Sequence, residues 1–296
     1  TQEIIARLEA GTKPWIKPWR GVPVSRPLRA CGIPYRGMNV FWLWMVADMC
    51  GYASPFWMTY NQAKSLGAQV RKGEKSTIAI FYKSYTKEVQ APDTGEKTDE
   101  ARRVLKAYPV FNADQVEGLP ERFHPAVTLD LVEPEGREAE LDAFFAAIPV
   151  NLRHQGCEAY YEPTADRVTM PPTSLFSGFD HYYATLAHEL SHWTGHASRL
   201  GRDLKNRFGT AAYAAEELVA ELASAMLGAE LGLPVTHLDS HASYIEHWLR
   251  LLKDDDRAIL TAAAKAEEAS SLLLKLGGRV MPEQFDDASD DAALAA

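Results

Sequence analysis

Five residues constrain this chain more than any others: His188-Glu189-Leu190-Ser191-His192. Residues four apart on a helix stand one above the other, so His188 and His192 can share one ion. Glu189 lies one step round, beside the position where a water completes the coordination. A divalent metal acidifies such a water, and Glu189 is placed by type and spacing to take its proton. The expectation is a helix over 179–195 and a second element close enough to bring a third ligand.

The next helical stretch, Glu216-Glu217-Leu218-Val219-Ala220-Glu221, offers that ligand. Glu217 and Glu221 are four apart and share a face. Glu217 is assigned to the metal, and Glu221 to orienting a ligating imidazole from behind. Glu216 points elsewhere on the helix and is the fallback ligand. His196 continues the His188–His192 stripe but follows Gly195, where the helix is expected to end, and position 198 is Ser where a third His would be needed. It is therefore given a structural role or a place behind the ligands, and not one among them. Tyr213 and His241 qualify as oxyanion donors by residue type alone. The hairpin at 158–170 could lay an edge strand along the cleft for an extended peptide to pair with. A His₂Glu set accepts one divalent ion, Zn²⁺ before Mn²⁺.

Charge divides the chain in two. Residues 1–87 hold thirteen Lys or Arg against four acids, a net of +9, so the other 209 residues carry −18 of the overall −9. The basic part suits a polyanion and the acidic part repels one. Five of the seven Trp also fall in the first 57 residues. Lys13-Pro14-Trp15-Ile16-Lys17-Pro18-Trp19-Arg20 alternates rings with cations, the combination that holds single-stranded nucleic acid by stacking and phosphate contact. Tyr35, Arg36 and Asn39, then Arg71, Lys72 and Lys75, add donors beside glycines. No helix-turn-helix or zinc-finger pattern points to duplex reading.

The 296 residues are 46% hydrophobic and 24% charged, the composition of a globular protein with room for two domains. The apolar stretch Phe41–Met49 is interrupted by Asp48 and too short to span a bilayer, so no membrane partner is expected. Three widely spaced cysteines and the lack of a leader pattern argue for the cytoplasm. Helices are expected over 3–10, 39–50, 59–66, 138–147, 211–231, 240–253 and 258–276. Strands are expected over 76–89, 104–111, 158–162 and 167–170, with a mobile loop at 91–103 and a linker at 112–136.

Taken together, Tyr-Arg-Gly-Met-Asn (35–39), Trp-Met-Thr-Tyr-Asn-Gln-Ala (57–63), Val-Arg-Lys-Gly-Glu-Lys (70–75), the stretch 182–196 and Glu-Glu-Leu-Val-Ala-Glu-Leu (216–222) resemble the plasmid-encoded ArdC-type antirestriction family. The resemblance implies an α+β chain of two domains. The first, 1–130, would bind single-stranded DNA. The second, 137–282, would be a mostly helical zincin-like metallopeptidase with a small sheet, followed by an acidic disordered tail at 283–296. It also implies protection of incoming conjugative plasmid DNA, and agrees with a gluzincin-like glutamate ligand at Glu217. A host protein such as a restriction enzyme becomes an expected partner. The competing expectation is a DNA-binding, partner-blocking protein whose metal site is structural or regulatory. Retention of Glu189 favours the enzyme.

Overall fold

Helix 38–50 is apolar on every side, and such a helix must lie between two layers. In the computed structural model, which describes residues 1–10, 25–90, 97–124, 136–202, 210–233 and 242–279, it does. The elements run α1 (Gln2–Glu9), β1 (Leu28–Arg29), α2 (Met38–Cys50), β2 (Phe56–Met58), α3 (Tyr60–Ser65), β3 (Gln69–Val70), β4 (Thr77–Gln90), β5 (Lys97–Asn112) and β6 (Val116–Glu117). After these come α4 (Arg137–Ala146), β7 (Asn151–His154), β8 (Tyr160–Glu162), β9 (Arg167–Met170), α5 (Phe179–Thr194), α6 (Ala211–Leu231), α7 (Ala242–Asp254) and α8 (Ala258–Leu276). Helix α2 packs on β4 from one side and α8 from the other.

The first sheet has the order β1-β2-β5-β4, with β4 and β5 antiparallel, and a two-stranded β3-β6 pair stands beside it. The second sheet, β7-β9-β8, joins β7 parallel and β8 antiparallel to the central β9. Thr59 begins α3 with a full capping box through Gln62. Gly51 and Gly232 close α2 and α6 in the left-handed conformation, where a side chain would be strained.

One apolar cluster ties the two parts of the chain together. Ile4, Leu8, Val40, Phe41, Trp44 and Trp57 from the first part pack with Leu218, Leu222, Met226, Trp248 and Ala263 from the helices of the second. A second cluster sits under the small sheet, with Leu141, Phe144, Met170, Leu186, Leu190, Leu227 and Leu273. Arg26 fastens the seam. Its side chain is buried, Nη1 donates to both oxygens of Glu267 at 2.9 Å, and Nη2 donates to Ser270 Oγ at 3.3 Å. Its Nε lies 2.8 Å from Glu230 Oε1, close as a charge pair but not aligned as a hydrogen bond. Glu267 also accepts the Gly37 N–H at the start of α2.

Two expectations change here. The 91–103 loop is shorter, because pairing continues unbroken to Gln90↔Lys97 and residues 97–103 are strand. A two-stranded ribbon is held by its backbone ladder and needs no apolar face to mark it in the sequence. The linker also shrinks, because residues 112–124 are folded. Asn112 caps a short 3₁₀ turn, and Phe123 is fully buried, edge-on to Phe56. The tail 283–296 lies outside the described residues. No helix among them is long and apolar enough to cross a membrane.

Candidate metal centre

Gly178 and Gly195 bracket α5, and the sixteen residues between them contain no Gly or Pro. The helix is buried along most of its second half, including His188, Glu189 and Ser191. Ser191 and Thr194 satisfy their hydroxyls on the carbonyls of Ala187 and Ser191. Helix α6 starts at Thr210, whose hydroxyl accepts the Tyr213 N–H, and packs against α5 with Glu217 and Glu221 buried.

That packing brings one nitrogen each from His188 and His192 and one oxygen from Glu217 to within 4.8 Å of one another. His188 Nε2 lies 3.6 Å from Glu217 Oε2, and His192 Nε2 lies 3.4 Å from Glu217 Oε1. The rings stand edge to face, 4.9 Å apart. Those separations are too long for good hydrogen bonds. A buried and a partly buried imidazole that converge with a buried carboxylate at such distances fit a divalent ion as a shared partner.

The local electrostatics agree. Burial pushes the Glu217 carboxyl up, but His192, His188 and a hydrogen bond from the Tyr213 hydroxyl outweigh it and hold it down at about 2. Burial works against the His192 charge, yet the carboxylates of Glu217, Glu216 and Glu189 lift that imidazole to about 9. Glu189 goes the other way. Burial raises it above the ordinary carboxylate range, offset in part by the two histidines and by a backbone hydrogen bond with Tyr161. A carboxyl raised in this way suits a proton acceptor at neutral pH.

The Tyr161 contact puts the edge strand β8 beside Glu189. Its turn is secured from below: the Tyr161 hydroxyl donates to Asp166 Oδ1 at 2.8 Å, and Arg199 pairs with Asp166 while lying 3.8 Å above the Trp193 ring. Asp166 holds a positive φ of 46°, a left-handed backbone that this network stabilises.

Comparison with known proteins agrees with this architecture. Residues 139–265 match the zincin-like metallopeptidase family, and residues 1–111 match the N-terminal domain of anti-restriction factor ArdC. The crystal structure of the antirestriction protein ArdC from plasmid R388, in its metal-free form, aligns with a TM-score of 0.78 at 46% identity, covering 94% of this chain and 96% of that one. The chain belongs to the ArdC antirestriction family. The Mn(II)-bound form of R388 ArdC aligns with a TM-score of 0.75 at 44% identity over 93% of this chain and 96% of its own. The protein y4eC of Sinorhizobium fredii is 41% identical over 275 residues, which is 90% of this chain and 88% of y4eC. A DNA primase TraC of Escherichia coli is 39% identical over 301 residues, 96% of this chain but 27% of the primase.

Within this ArdC-family fold, several side chains sit where the sequence did not indicate. Glu216 faces the site after all. It lies 3.3 Å from His192 Nδ1 and is held by Arg202, a residue that no sequence pattern singles out. Of the two roles open to His196, its contacts are those of the structural one. The turn after Gly195 carries it to Ser198 Oγ at 2.8 Å and to 4.0 Å from Asp166, so it serves the α5 exit. Glu221 approaches His188 Nδ1 only to 3.8 Å, and that buried nitrogen has no hydrogen-bond partner among the described residues. Tyr213 bonds Glu217, and His241 lies outside the described residues.

The nucleic-acid candidates divide similarly. Lys13, Trp15, Lys17, Trp19 and Arg20 lie outside the described residues. Tyr35 is 8% exposed and belongs to the shared core, so its ring is not free to stack on a base. Asn39 bridges both backbone groups of Ile80, donating to its carbonyl at 2.6 Å and accepting its N–H at 2.8 Å, which fastens α2 to β4. Arg71 pairs with Glu74 at 2.7 Å. Arg36 is half-buried, while Lys72 and Lys75 are exposed.

Proposed function

We propose that this chain binds single-stranded DNA through its basic N-terminal part and hydrolyses a protein partner at a metal held by His188, His192 and Glu217. The role is protection of incoming plasmid DNA during conjugation. The observation that carries the reading is the convergence of two imidazoles and a carboxylate, with the raised carboxyl of Glu189 beside them. A divalent ion bound by that set, Zn²⁺ or Mn²⁺, supplies Lewis acidity toward water and a peptide carbonyl. Glu189 accepts the water's proton on a carboxylate oxygen and passes it to the departing amine. The edge of β8, which no described strand covers, offers backbone groups for an extended peptide to pair with beside Glu189. The excess of cations over acids in residues 1–87, with the Trp15 and Trp19 arm, supports phosphate contact and base stacking. Restriction enzymes are the partner class proposed for hydrolysis.

The test uses two variants in the full chain. Glu189→Gln is expected to keep its metal and its affinity for single-stranded DNA while losing hydrolysis of a candidate restriction enzyme and protection of a conjugating plasmid. If it protects as well as the parent, the site is structural and antirestriction works by blocking. Trp15→Ala with Lys17→Ala is expected to weaken single-strand binding and flatten its dependence on salt. An unchanged salt slope would move the DNA surface away from the arm.

A further inference from the structure

Arg202 is almost wholly buried (4% exposed) at the mouth of α5 and α6, and each of its guanidinium nitrogens is engaged. Nε donates to Glu216 Oε2 at 3.0 Å and Nη2 to Glu216 Oε1 at 2.9 Å. Nη1 donates to Thr194 Oγ1 at 2.9 Å, and Nη2 also donates to the Ser191 carbonyl at 2.6 Å. A cation out of water needs such a full set of partners, and a forked pair with one carboxylate is its strongest form. Both ends of this clamp lead to the same residue. Ser191 immediately precedes His192 on α5, and Glu216 Oε1 lies 3.3 Å from His192 Nδ1. The opposite ring nitrogen, Nε2, faces Glu217.

We infer that Arg202 and Glu216 form a positioning pair that sets the tautomer and the ring angle of His192 for metal binding. The inference rests on the reading of His188, His192 and Glu217 as metal ligands. A carboxylate already accepting from a guanidinium can only accept from the imidazole, so a proton stays on Nδ1 and Nε2 is the nitrogen left to release its proton and hold a metal. The contact of Arg202 with the Ser191 carbonyl fixes the backbone turn that carries the ring. His192 is therefore held at two points, ring and main chain, by one buried cation. His188 has no equivalent, since its Nδ1 lacks a hydrogen-bond partner among the described residues and Glu221 stops 3.8 Å short. Glu216 is thus a partner of the far side of a ligand, and Arg202 acts through it.

The experiment separates positioning from packing. Zn²⁺ affinity is measured by competition with a chromogenic chelator, and the ligand field by the visible spectrum of the Co²⁺-loaded protein. Each variant's metal-free melting temperature is recorded alongside. Glu216→Leu removes the acceptor, and Glu216→Gln keeps a carbonyl oxygen for the Nδ1 proton. Arg202→Met with Glu216→Leu removes both charges together, which leaves no lone ion in the interior. Glu216→Leu is expected to weaken Zn²⁺ binding about 10–100-fold and shift the Co²⁺ spectrum. Glu216→Gln should recover most of that affinity. The double variant should regain metal-free stability while binding Zn²⁺ as weakly as Glu216→Leu alone. Recovery of parental affinity in the double variant would reduce the pair to packing and overturn the inference, as would parental affinity and spectrum in Glu216→Leu. If the parent itself takes up neither Zn²⁺ nor Co²⁺, the metal reading fails first and the inference falls with it.

Discussion

Replacing Arg26 with Met tests how firmly the two parts of the chain are joined. Met retains much of the apolar stem, so the main loss is the positive charge facing Glu267 and Glu230. Arg26 is 1% exposed, and it makes two 2.9 Å contacts with Glu267 and one 2.8 Å approach to Glu230. Removing one partner of a buried pair costs about 3–5 kcal/mol. Glu267 and Glu230 are 13% and 23% exposed, so water reaches them in part, and the lower figure of about 3 kcal/mol applies. At roughly 2–4 °C per kcal/mol for a chain of this size, calorimetry should record a fall of about 6–12 °C. The deficit should also depend on pH. Burial raises the Glu230 carboxyl, the charge of Arg26 opposes the rise, and Glu267 adds to it. Without Arg26 the rise is opposed by Arg279 and no longer by a cation at that seam. A carboxyl raised in the folded state binds its proton more tightly there than in the unfolded chain, so stability grows as pH falls through the folded value. The deficit should therefore shrink as pH falls through the raised Glu230 value toward the ordinary carboxylate range. A loss below about 1 kcal/mol, the scale of an exposed pair, or a deficit flat over that fall in pH would refute a buried seam.

Gly277→Ala would place a Cβ 2.1 Å from Cε2 of Phe144, a ring fixed in the second core, and is expected to cost about 1–3 kcal/mol in urea unfolding; an unchanged midpoint would mean that α8 ends more loosely than described. Deleting residues 1–111 removes the N-terminal members of the cluster that holds Leu218, Leu222, Met226 and Trp248, so the remaining chain should aggregate or melt without cooperativity. A stable monomer with parental metal affinity would show that the shared core is dispensable.

The long helices were legible because their signals are local. Thr210 and Gly232 bracket α6 at the expected ends, and the apolar spacing of 258–276 matches α8. The five short strands β1, β2, β3, β6 and β7 were not, since two to four residues cannot display a period and their pairing is decided far away in the chain. The His188–Glu189–His192 cluster was legible for the same reason as the helices, because its geometry belongs to one turn-and-a-bit of backbone. Glu216 was misjudged because its direction depends on how α6 is rotated against α5, a tertiary fact. Tyr35 makes the same point from the other half. Its place beside Arg36 and a glycine suggested a ring free for a base, but it is buried at 8% exposure, in the same core as Trp44 and Trp57. Composition gives the number of aromatics without their direction.

Helix α6 explains why such a chain needs both halves. Adjacent residues on a helix point about 100° apart. Glu217 and Glu221 can therefore face α5 while Leu218, Leu222 and Met226 face the shared core. The rotation of α6 is set by α5 on one side and by α8 and α7 on the other, and α1 and α2 pack in turn on α7 and α8. Side-chain atoms sit about 5–6 Å from a helix axis, so turning α6 by about 10° moves the Glu217 oxygens by about 1 Å. A metal site works within about 0.5 Å of its productive geometry. A loosened N-terminal contact would thus open the donor triangle well before either core comes apart, and the packing of α1 and α2 becomes part of what makes Glu217 a usable ligand.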